Sequence, residues 1–186
     1  MKLIGLVGYP GVGKDEAAKA LVADGWKRLS FADHVRKAAL AIDPIVGDNS
    51  LRLSELVALH GWDAAKRLYP EVRRLLQCIG TEGGRDIHGY NCWVNLVSSE
   101  VCEADMAGND VVITDVRFDN EVSLVDEEMG LLLWVERPGG STVNDHQSEQ
   151  QYEWLRTMCK AEIVNDGDVQ SLHDAIRQFV VEWFED

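Results

Sequence analysis

The chain has 186 residues, a formal net charge of −14 and a hydrophobic fraction of 46%. Its length fits one globular domain, and its composition excludes a fibrous or disordered chain. The negative charge argues against binding to nucleic acid, no apolar run approaches the ~20 residues of a transmembrane helix, and the four cysteines lack the spacing of a zinc site or a redox pair.

The first predicted elements are a strand at residues 3–7, a glycine-rich turn and a helix at residues 15–22. Because the chain passes directly into that strand rather than through a signal peptide, we expect a cytoplasmic protein. A second strand is predicted at residues 26–31. The helix that follows it, at residues 33–42, places apolar side chains on one face.

The rest of the chain alternates between helical and strand patterns. Residues 51–99 are predicted to be helical, and the apolar runs at 111–114 and 131–135 are typical of strands buried on both faces of a parallel sheet. The other predicted elements are a crossover helix at 121–129, a short helix at 149–159, a last strand at 161–164 and a terminal helix at 169–184. This order predicts an α/β fold around a parallel sheet.

Residues 8–14 read Gly-Tyr-Pro-Gly-Val-Gly-Lys, which matches the pattern G-x-x-x-x-G-K between a predicted strand and a predicted helix. Glycines let several backbone N–H groups point at one phosphate, the helix start adds positive potential, and the ammonium of Lys14 can bridge two phosphates. An ordinary glycine turn before a helix is the alternative. The flanking strand and helix favour a phosphate-binding loop, and therefore a phosphotransferase that uses ATP.

Asp15 stands where this pattern normally has the Ser or Thr that binds Mg²⁺. A carboxylate oxygen is also a suitable Mg²⁺ ligand, either directly or through water. Equally, Asp15 can serve only as an acid that the helix dipole favours in the first turn. The sequence leaves both interpretations open.

Asp115 follows the apolar run at 111–114, so it is expected at the carboxyl edge of the sheet, where an acid can approach Mg²⁺ or a substrate hydroxyl. A simple turn residue is the alternative. Arg117 lies two positions further on and would bring a phosphate-binding cation to the same edge. The two residues together favour a functional interpretation.

Six segments spread over nearly the whole chain carry a family resemblance. They are GYPGVGKD at 8–15, SFAD at 30–33, RRLLQCIGTEGGR at 73–85 followed by Trp93, VITDVRFDNE at 112–121, HQSE at 146–149 and VNDGD at 164–168. In this order they resemble the deoxynucleoside monophosphate kinases of bacteriophages, a branch of the P-loop nucleoside monophosphate kinases. That family also ends its loop in Gly-Lys-Asp, so Asp15 supports the resemblance.

The resemblance implies a three-layer α/β/α fold with a five-stranded parallel sheet, a helical acceptor-binding insertion and a lid. We therefore expect a single P-loop kinase domain over residues 1–186. Its core would comprise residues 1–32, 105–136 and 160–186, its acceptor-binding region residues 33–104, and its lid residues 137–159. A phage origin would place the protein in the host cytoplasm, and the oligomeric state is left open, a homodimer included.

The implied activity is transfer of the γ-phosphoryl group of ATP, with Mg²⁺, to a deoxynucleoside monophosphate. The residues expected to bind ATP are Gly8, Gly11, Val12, Gly13, Lys14, Asp15, Asn165 and Gly167. Those expected to bind the acceptor are Asp33, Lys37, Arg74, Gln77, Thr81, Glu82, Arg85, Trp93 and Asp115. The expected catalytic residues are Lys14, Arg117 and Arg137, whose charges would neutralise the transferring group, and the expected metal ligands are Asp15 and Asp115.

Several of these assignments have simpler alternatives. Arg137 can be a solvated cation at a strand end, and Asp33 can cap the helix that follows it. Trp93 can be a core residue rather than a platform for the base, and residues 165–168 can form a plain turn.

Two other functions remain open at this point. One is a kinase similar to phosphomevalonate kinase, a related P-loop enzyme whose phosphate acceptor is not a nucleotide. The other is a non-catalytic ATP-binding module. The number of arginines in the helical region argues against such a module, because it needs only one nucleotide pocket.

Overall fold

The computed structural model describes residues 1–47, 51–139 and 151–184. The elements of the first half are β1 (Leu3–Val7), α1 (Lys14–Ala23), β2 (Lys27–Leu29), α2 (Phe31–Ile42), β3 (Ile45–Val46), β4 (Leu51–Arg52), α3 (Leu53–Leu68), α4 (Pro70–Cys78), a π-helix (Ile79–Arg85) and α5 (Asp86–His88). Those of the second half are α6 (Cys92–Met106), β5 (Val111–Ile113), α7 (Asp119–Glu127), β6 (Leu131–Glu136), α8 (Tyr152–Met158), β7 (Ala161–Val164) and α9 (Val169–Phe184).

The chain divides into two compact units, residues 1–30 with 97–186, and residues 31–96. The first unit contains a five-stranded sheet in the order β2-β5-β1-β6-β7, in which every pairing is parallel. The central strand β1 pairs with β5 on one side and with β6 on the other. The prediction of a five-stranded parallel sheet is confirmed.

Helices cover both faces of this sheet, because its strands are apolar on both sides. On one face, α1 and α9 enclose a core with Ile4, Leu6 and Leu133, each of which is fully buried. On the other face, Val125 of α7 packs so closely over β1 that a side chain at Gly5 would meet it at 3.0 Å. The result is a three-layer α/β/α unit, as the sequence predicts.

The second unit is mainly helical and has its own core. Buried side chains from α2, β3, α3 and α4 form it, namely Ala39, Val46, Leu53, Leu56, Ala65 and Val72. A two-residue antiparallel hairpin, β3 with β4, lies between α2 and α3 in the chain. The helix α3 bends at Gly61, where φ is +72°.

Several predicted element bounds are corrected. The strand at 26–31 is confined to Lys27–Leu29, because its partner β5 offers only three residues and Trp26 turns into the core. The helix after it starts at Phe31 rather than at residue 33, and α7 spans Asp119–Glu127 rather than 121–129. The helix α8 spans Tyr152–Met158, and residues 149–150 of the predicted helix at 149–159 lie outside the described residues.

The predicted helical region at 51–99 departs from α-helix in two places. Its first two residues belong to a strand, and residues 79–85 form a π-helix. Residues 140–150, which include 11 of the 23 residues of the predicted lid and the segment 146–149, lie outside the described residues. Within the described part of the chain, no helix is long and apolar enough to cross a membrane.

Candidate active site

Polar residues follow every strand of the five-stranded sheet at its carboxyl end. The loop that starts at Gly8 follows β1, Ser30 follows β2, Asp115 lies just beyond β5, Arg137 follows β6 and Asn165 follows β7. Because all strands are parallel, these ends meet at one edge. Ligands of open parallel sheets bind at this edge, at the strand where the strand order reverses, because the connections on its two sides run in opposite directions there. Here that point is β1, between β5 and β6.

The glycine-rich loop has a backbone that only glycine adopts easily. Gly8, Gly11 and Gly13 have φ values of +144°, +79° and +107°. A Cβ atom at Gly8 would overlap the carbonyl oxygen of Val135 in β6, and one at Gly13 would lie 2.6 Å from the side-chain nitrogen of Asn165. Gly11 is exposed, and apart from its chain neighbours no atom of the described residues lies within 4 Å of the place that a Cβ would take, whereas Val12 is buried and anchors the loop in the core.

Lys14 is the first residue of α1, and its side chain is only 9% exposed. Its ammonium donates hydrogen bonds to the carbonyl oxygens of Gly8 at 2.6 Å and Tyr9 at 2.8 Å. Burial lowers the pKa of Lys14 from 10.5 to about 8, and the charge of Arg117 acts in the same direction, while Asp15 and Asp115 oppose it. The structure therefore brings Lys14, Asp15, Asp115 and Arg117 into one electrostatic neighbourhood.

Raising the pH is expected to stabilise the fold through Lys14. The unfolded chain keeps this proton up to about pH 10.5, whereas the folded protein loses it above about pH 8. Unfolding therefore takes up a proton between these two pH values. Because protons become scarcer as the pH rises, higher pH opposes unfolding. The free energy of unfolding should rise by about 3 kcal/mol between these two pH values. Urea unfolding of the wild type and of Lys14→Met at about pH 7 and about pH 10 measures it.

The comparison with Lys14→Met also removes the contribution of other groups. Burial raises the pKa of the Cys159 thiol to about 12, and this acts in the opposite direction because the folded state then favours the proton. Both proteins contain Cys159, so its effect cancels. A wild type that gains no stability relative to Lys14→Met as the pH rises would contradict the assignment.

The two candidate metal ligands have different partners. The carboxylate of Asp115 accepts a hydrogen bond from the buried hydroxyl of Ser30 at 2.9 Å. Asp15 is exposed and lies 3.6 Å from the guanidinium of Arg28 in β2. In the described ranges no three His, Cys, Asp or Glu side chains cluster as metal ligands. Mg²⁺ needs only one or two carboxylates when phosphate oxygens complete its shell, so the donor set fits this ion.

Asn165 supports the glycine-rich loop from the last strand. Its side-chain amide donates to the carbonyl oxygen of Val12 at 2.8 Å, and its backbone N–H donates to Glu136 at 2.7 Å. Asn165 is 8% exposed, whereas Gly167 is exposed. Asp168 accepts hydrogen bonds from the backbone and hydroxyl of Ser171, both at 2.8 Å, in the first turn of α9. These side chains thus support the glycine-rich loop and the first turn of α9.

Three residues of this edge are missed by the sequence reasoning. Ser30 holds Asp115, as described above. Glu121 is 2% exposed and accepts backbone hydrogen bonds from Arg117 at 2.7 Å and Phe118 at 3.1 Å. The ring of Tyr9 packs against that of Tyr152, with centroids 4.6 Å apart. Ser30 and Glu121 lie within the segments that carry the family resemblance, so their place in those segments could have indicated them as site residues.

Arg137 is exposed directly after β6, and the described residues of the predicted lid are 137–139 and 151–159. The helix α8 is tied to the sheet by Arg156, which forms ion pairs with Glu136 and Glu162 at 2.8 and 2.6 Å. Arg156 also lies over the ring of Trp134, 5.3 Å from its centroid. These contacts link α8 to β6 and β7.

The expected acceptor residues other than Asp115 lie in the second unit. Asp33 and Lys37 are on α2, Arg74 and Gln77 on α4, Thr81, Glu82 and Arg85 on the π-helix, and Trp93 on α6. The alternative of Asp33 as a helix cap is wrong, because α2 already begins at Phe31 and the Asp33 carboxylate instead pairs with Arg36 at 2.8 Å.

Trp93 and Arg85 hold the π-helix in place. The indole N–H of Trp93 donates to the carbonyl oxygen of Gly80 at 2.8 Å, and a Cβ at Gly84 would lie 2.6 Å from the indole ring. Arg85 is 8% exposed, donates to the carbonyl oxygen of Tyr90 at 3.3 Å and lies over its ring. π-Helical turns occur frequently at functional sites. Thr81 and Glu82 are presented from this turn.

Arg74 lines a cavity of about 230 Å³. The other lining residues come from the hairpin and α4, and are Pro44, Ile45, Val46, Glu71, Leu75 and Cys78. Glu71 also accepts a hydrogen bond from the backbone of Gly47 at 2.8 Å. Gln77 lies on the same helix but is not among the lining residues. The cavity therefore combines an apolar wall with one cation and one carboxylate.

A family model described as deoxynucleotide monophosphate kinase matches residues 63–176. A protein of Acanthamoeba polyphaga mimivirus that carries this same name is 28% identical over 202 residues, covering 95% of this chain and 94% of the viral protein. The deoxynucleoside-5'-monophosphate kinase of Escherichia phage T5 is 32% identical over 84 residues, covering 45% of this chain and 33% of the phage protein.

Solved structures of other kinases share the fold. Dephospho-CoA kinase from Campylobacter jejuni aligns with a TM-score of 0.54 at 11% identity, over 98% of this chain and 97% of its own. Shikimate kinase from Acinetobacter baumannii aligns with a TM-score of 0.53 at 14% identity, over 100% of this chain and 96% of its own. At such low identity these likenesses describe the fold alone.

Proposed function

Because the chain belongs to the deoxynucleotide monophosphate kinase family, we propose that Lys14 and its glycine-rich loop hold ATP while the γ-phosphoryl group passes to a deoxynucleoside monophosphate. The enzyme is a phosphotransferase, and the products are ADP and the deoxynucleoside diphosphate. The observation that carries the proposal is the buried ammonium of Lys14, which starts a helix at the carboxyl edge of the sheet beside Asp115 and Arg117.

Lys14 is the residue that contacts the transferring phosphoryl group. A phosphate anion beside its ammonium raises the pKa of Lys14 again, so the bound state keeps the positive charge that the buried lysine otherwise tends to lose. Arg117 adds a second positive charge at the same place. No general base is required, because the acceptor phosphate is already ionised. Catalysis then depends on positioning and on charge stabilisation.

Asp115 and Asp15 are the carboxylates that would hold Mg²⁺. When bound, the ion would neutralise phosphate charge. Ser30 fixes one oxygen of Asp115 by its hydrogen bond at 2.9 Å, which supports Asp115 as the better oriented of the two. Asp15 forms an ion pair with Arg28, and this ion pair is compatible with a role of Asp15 as an acid in the first turn of α1.

The helical second unit is the proposed acceptor-binding region, and residues 137–159 are the proposed lid. The cavity beside Arg74 suits an acceptor that is apolar at one end and anionic at the other, as a deoxynucleoside monophosphate is. The side chains of Glu82 and Gln77 supply polar groups for the base edge. The polar residues of the π-helix support this assignment.

A substrate panel tests the proposed function. Each of the four deoxynucleoside monophosphates is incubated with ATP and Mg²⁺, and the products are identified by chromatography. At least one should yield both ADP and its own diphosphate. Phosphomevalonate, the acceptor of the alternative enzyme class, is included in parallel and should yield no ADP. Absence of ADP with all four nucleotides would contradict the proposal.

Trp93→Phe is expected to weaken binding of the acceptor while leaving ATP binding unchanged. Phenylalanine keeps an aromatic face but lacks the N–H that bonds Gly80, so the π-helix loses one anchor. Loss of one hydrogen bond corresponds to a rise of roughly fivefold in KM for the deoxynucleoside monophosphate. Steady-state kinetics with each substrate varied in turn measures the effect.

The exposed Trp183 of α9 provides the matched control, and Trp183→Phe should leave both KM values unchanged. If Trp93→Phe behaves like the wild type and Trp93→Leu alone raises KM, stacking of Trp93 on the base is the better explanation.

A further inference from the structure

The segment between β5 and α7 carries Asp115 and Arg117, and it is held to its neighbours by its backbone. The N–H of Thr114 donates to the carbonyl oxygen of Leu29 at 3.1 Å, and that of Val116 donates to Leu6 at 3.3 Å. The side chain of Val116 is 1% exposed and packs into the core. Asp115 and Arg117 therefore lie on either side of Val116, which its backbone hydrogen bond and its buried side chain hold in place.

Beyond Val116 the segment depends on Glu121. One oxygen of this carboxylate, Oε2, accepts the N–H of Arg117 at 2.7 Å and that of Phe118 at 3.1 Å. Two charge-assisted hydrogen bonds from adjacent residues leave the peptide little freedom to rotate. The backbone from which the Arg117 side chain extends is thus set by Glu121.

A comparison within the chain shows that this is more than a helix cap. Glu55 has the corresponding third position in α3 and accepts the N–H of Arg52 at 2.8 Å. It is exposed, as is usual for such an acid. Glu121 is 2% exposed and reaches one residue further back along the chain, to Arg117. Burying a carboxylate costs free energy unless donors compensate it, and at Glu121 the backbone N–H groups of Arg117 and Phe118 do so.

We propose that Glu121 is a positioning residue for phosphoryl transfer, which holds the backbone of Arg117 so that its guanidinium meets the transferring group. The inference rests on the proposed function and on the role of Arg117 in it. Glu121 is buried and accepts hydrogen bonds from two backbone N–H groups, so its proposed role is to act through Arg117. Its effect should therefore appear in kcat and should vanish when Arg117 has no guanidinium to position.

Glu121→Gln tests the inference with little change in volume. The amide keeps one oxygen but loses the charge and adds two donors beside the N–H groups of Arg117 and Phe118. We expect kcat to fall roughly 10- to 100-fold, as misplacement of a charge-stabilising group does, while KM for ATP changes less than about threefold. Glu55→Gln makes the same change at the exposed cap of α3 and should leave kcat unaltered.

A double-mutant cycle separates positioning from capping. In an Arg117→Ala background, Glu121→Gln should cause no further loss of kcat, because the two residues act in one chain of contacts. If Glu121 were only a structural cap, Glu121→Gln would lower stability in both backgrounds. It would then either leave kcat of the folded enzyme unchanged or lower kcat by the same factor in both backgrounds. Either of those results would overturn the inference.

Two further measurements keep the test decisive. If Glu121→Gln does not fold by circular dichroism, Glu121→Asp takes its place in the same cycle, since it keeps the charge and withdraws the carboxylate by one methylene. The same dependence on Arg117 is expected. If Arg117→Ala alone has the kcat of the wild type, the proposed role of Arg117 fails, whereas an impaired Arg117→Ala with a fully active Glu121→Gln overturns the positioning role alone.

Discussion

Lys14→Met is expected to lower kcat by roughly 10³-fold or more, because it removes the ammonium that stabilises the transferring phosphoryl group. Methionine has a similar length and no charge, so the change removes the electrostatic interaction with little change in packing. The measurement is ADP formation at saturating ATP with whichever deoxynucleoside monophosphate is the best acceptor. A variant as active as the wild type would contradict the phosphate-binding role of the loop.

The same variant should remain folded. The buried ammonium of Lys14 is costly, as its lowered pKa of about 8 indicates, so its removal offsets the loss of the hydrogen bonds to Gly8 and Tyr9. We therefore expect Lys14→Met to unfold in urea at a concentration no lower than the wild type near neutral pH. Lys19→Met provides the matched control, since Lys19 lies further along α1, is exposed and forms an ion pair with Glu16. It should keep its activity.

Gly8→Ala is expected to destabilise the fold by roughly 3 kcal/mol or more. The added Cβ would overlap the carbonyl oxygen of Val135, which is part of β6 and cannot move without disturbing the sheet. The φ of +144° adds strain for any residue with a side chain. Thermal unfolding should show a fall in Tm of roughly 6 to 12 °C.

Gly11→Ala is the control for Gly8→Ala. Gly11 also has a positive φ, +79°, but in the part of the chain that the structure describes no atom beyond its chain neighbours lies within 4 Å of its added Cβ. It should show only the cost of a left-handed backbone, roughly 1 kcal/mol. Equal losses of stability in the two variants would mean that the close approach to Val135 has no energetic effect.

Much of the fold follows from local patterns. Apolar runs of three to five residues predict β1, β5 and β6, since strands covered by helices on both faces need no polar side. The bounds of β2 and α2 do not follow from such patterns, because β2 ends where its partner β5 ends. The hairpin of β3 and β4 has two residues in each strand, too few for any alternation to be visible.

The π-helix shows a different limit of prediction. Gly80, Gly83 and Gly84 predict a loop by their low helix propensity. In the folded unit Gly84 instead provides room for the ring of Trp93, whose N–H bonds Gly80. A contact between residues on different helices thus overrides the local preference.

The glycine-rich loop and its lysine are determined by the sequence, because residues 8–15 are adjacent in the chain and their spacing alone shapes a turn before a helix. Only the tertiary structure decides what supports them. Asn165 bonds Val12 across 153 positions, and Ser30 bonds Asp115 across 85. No periodicity relates residues so far apart, and the parallel sheet brings them together by collecting the carboxyl ends of its strands at one edge.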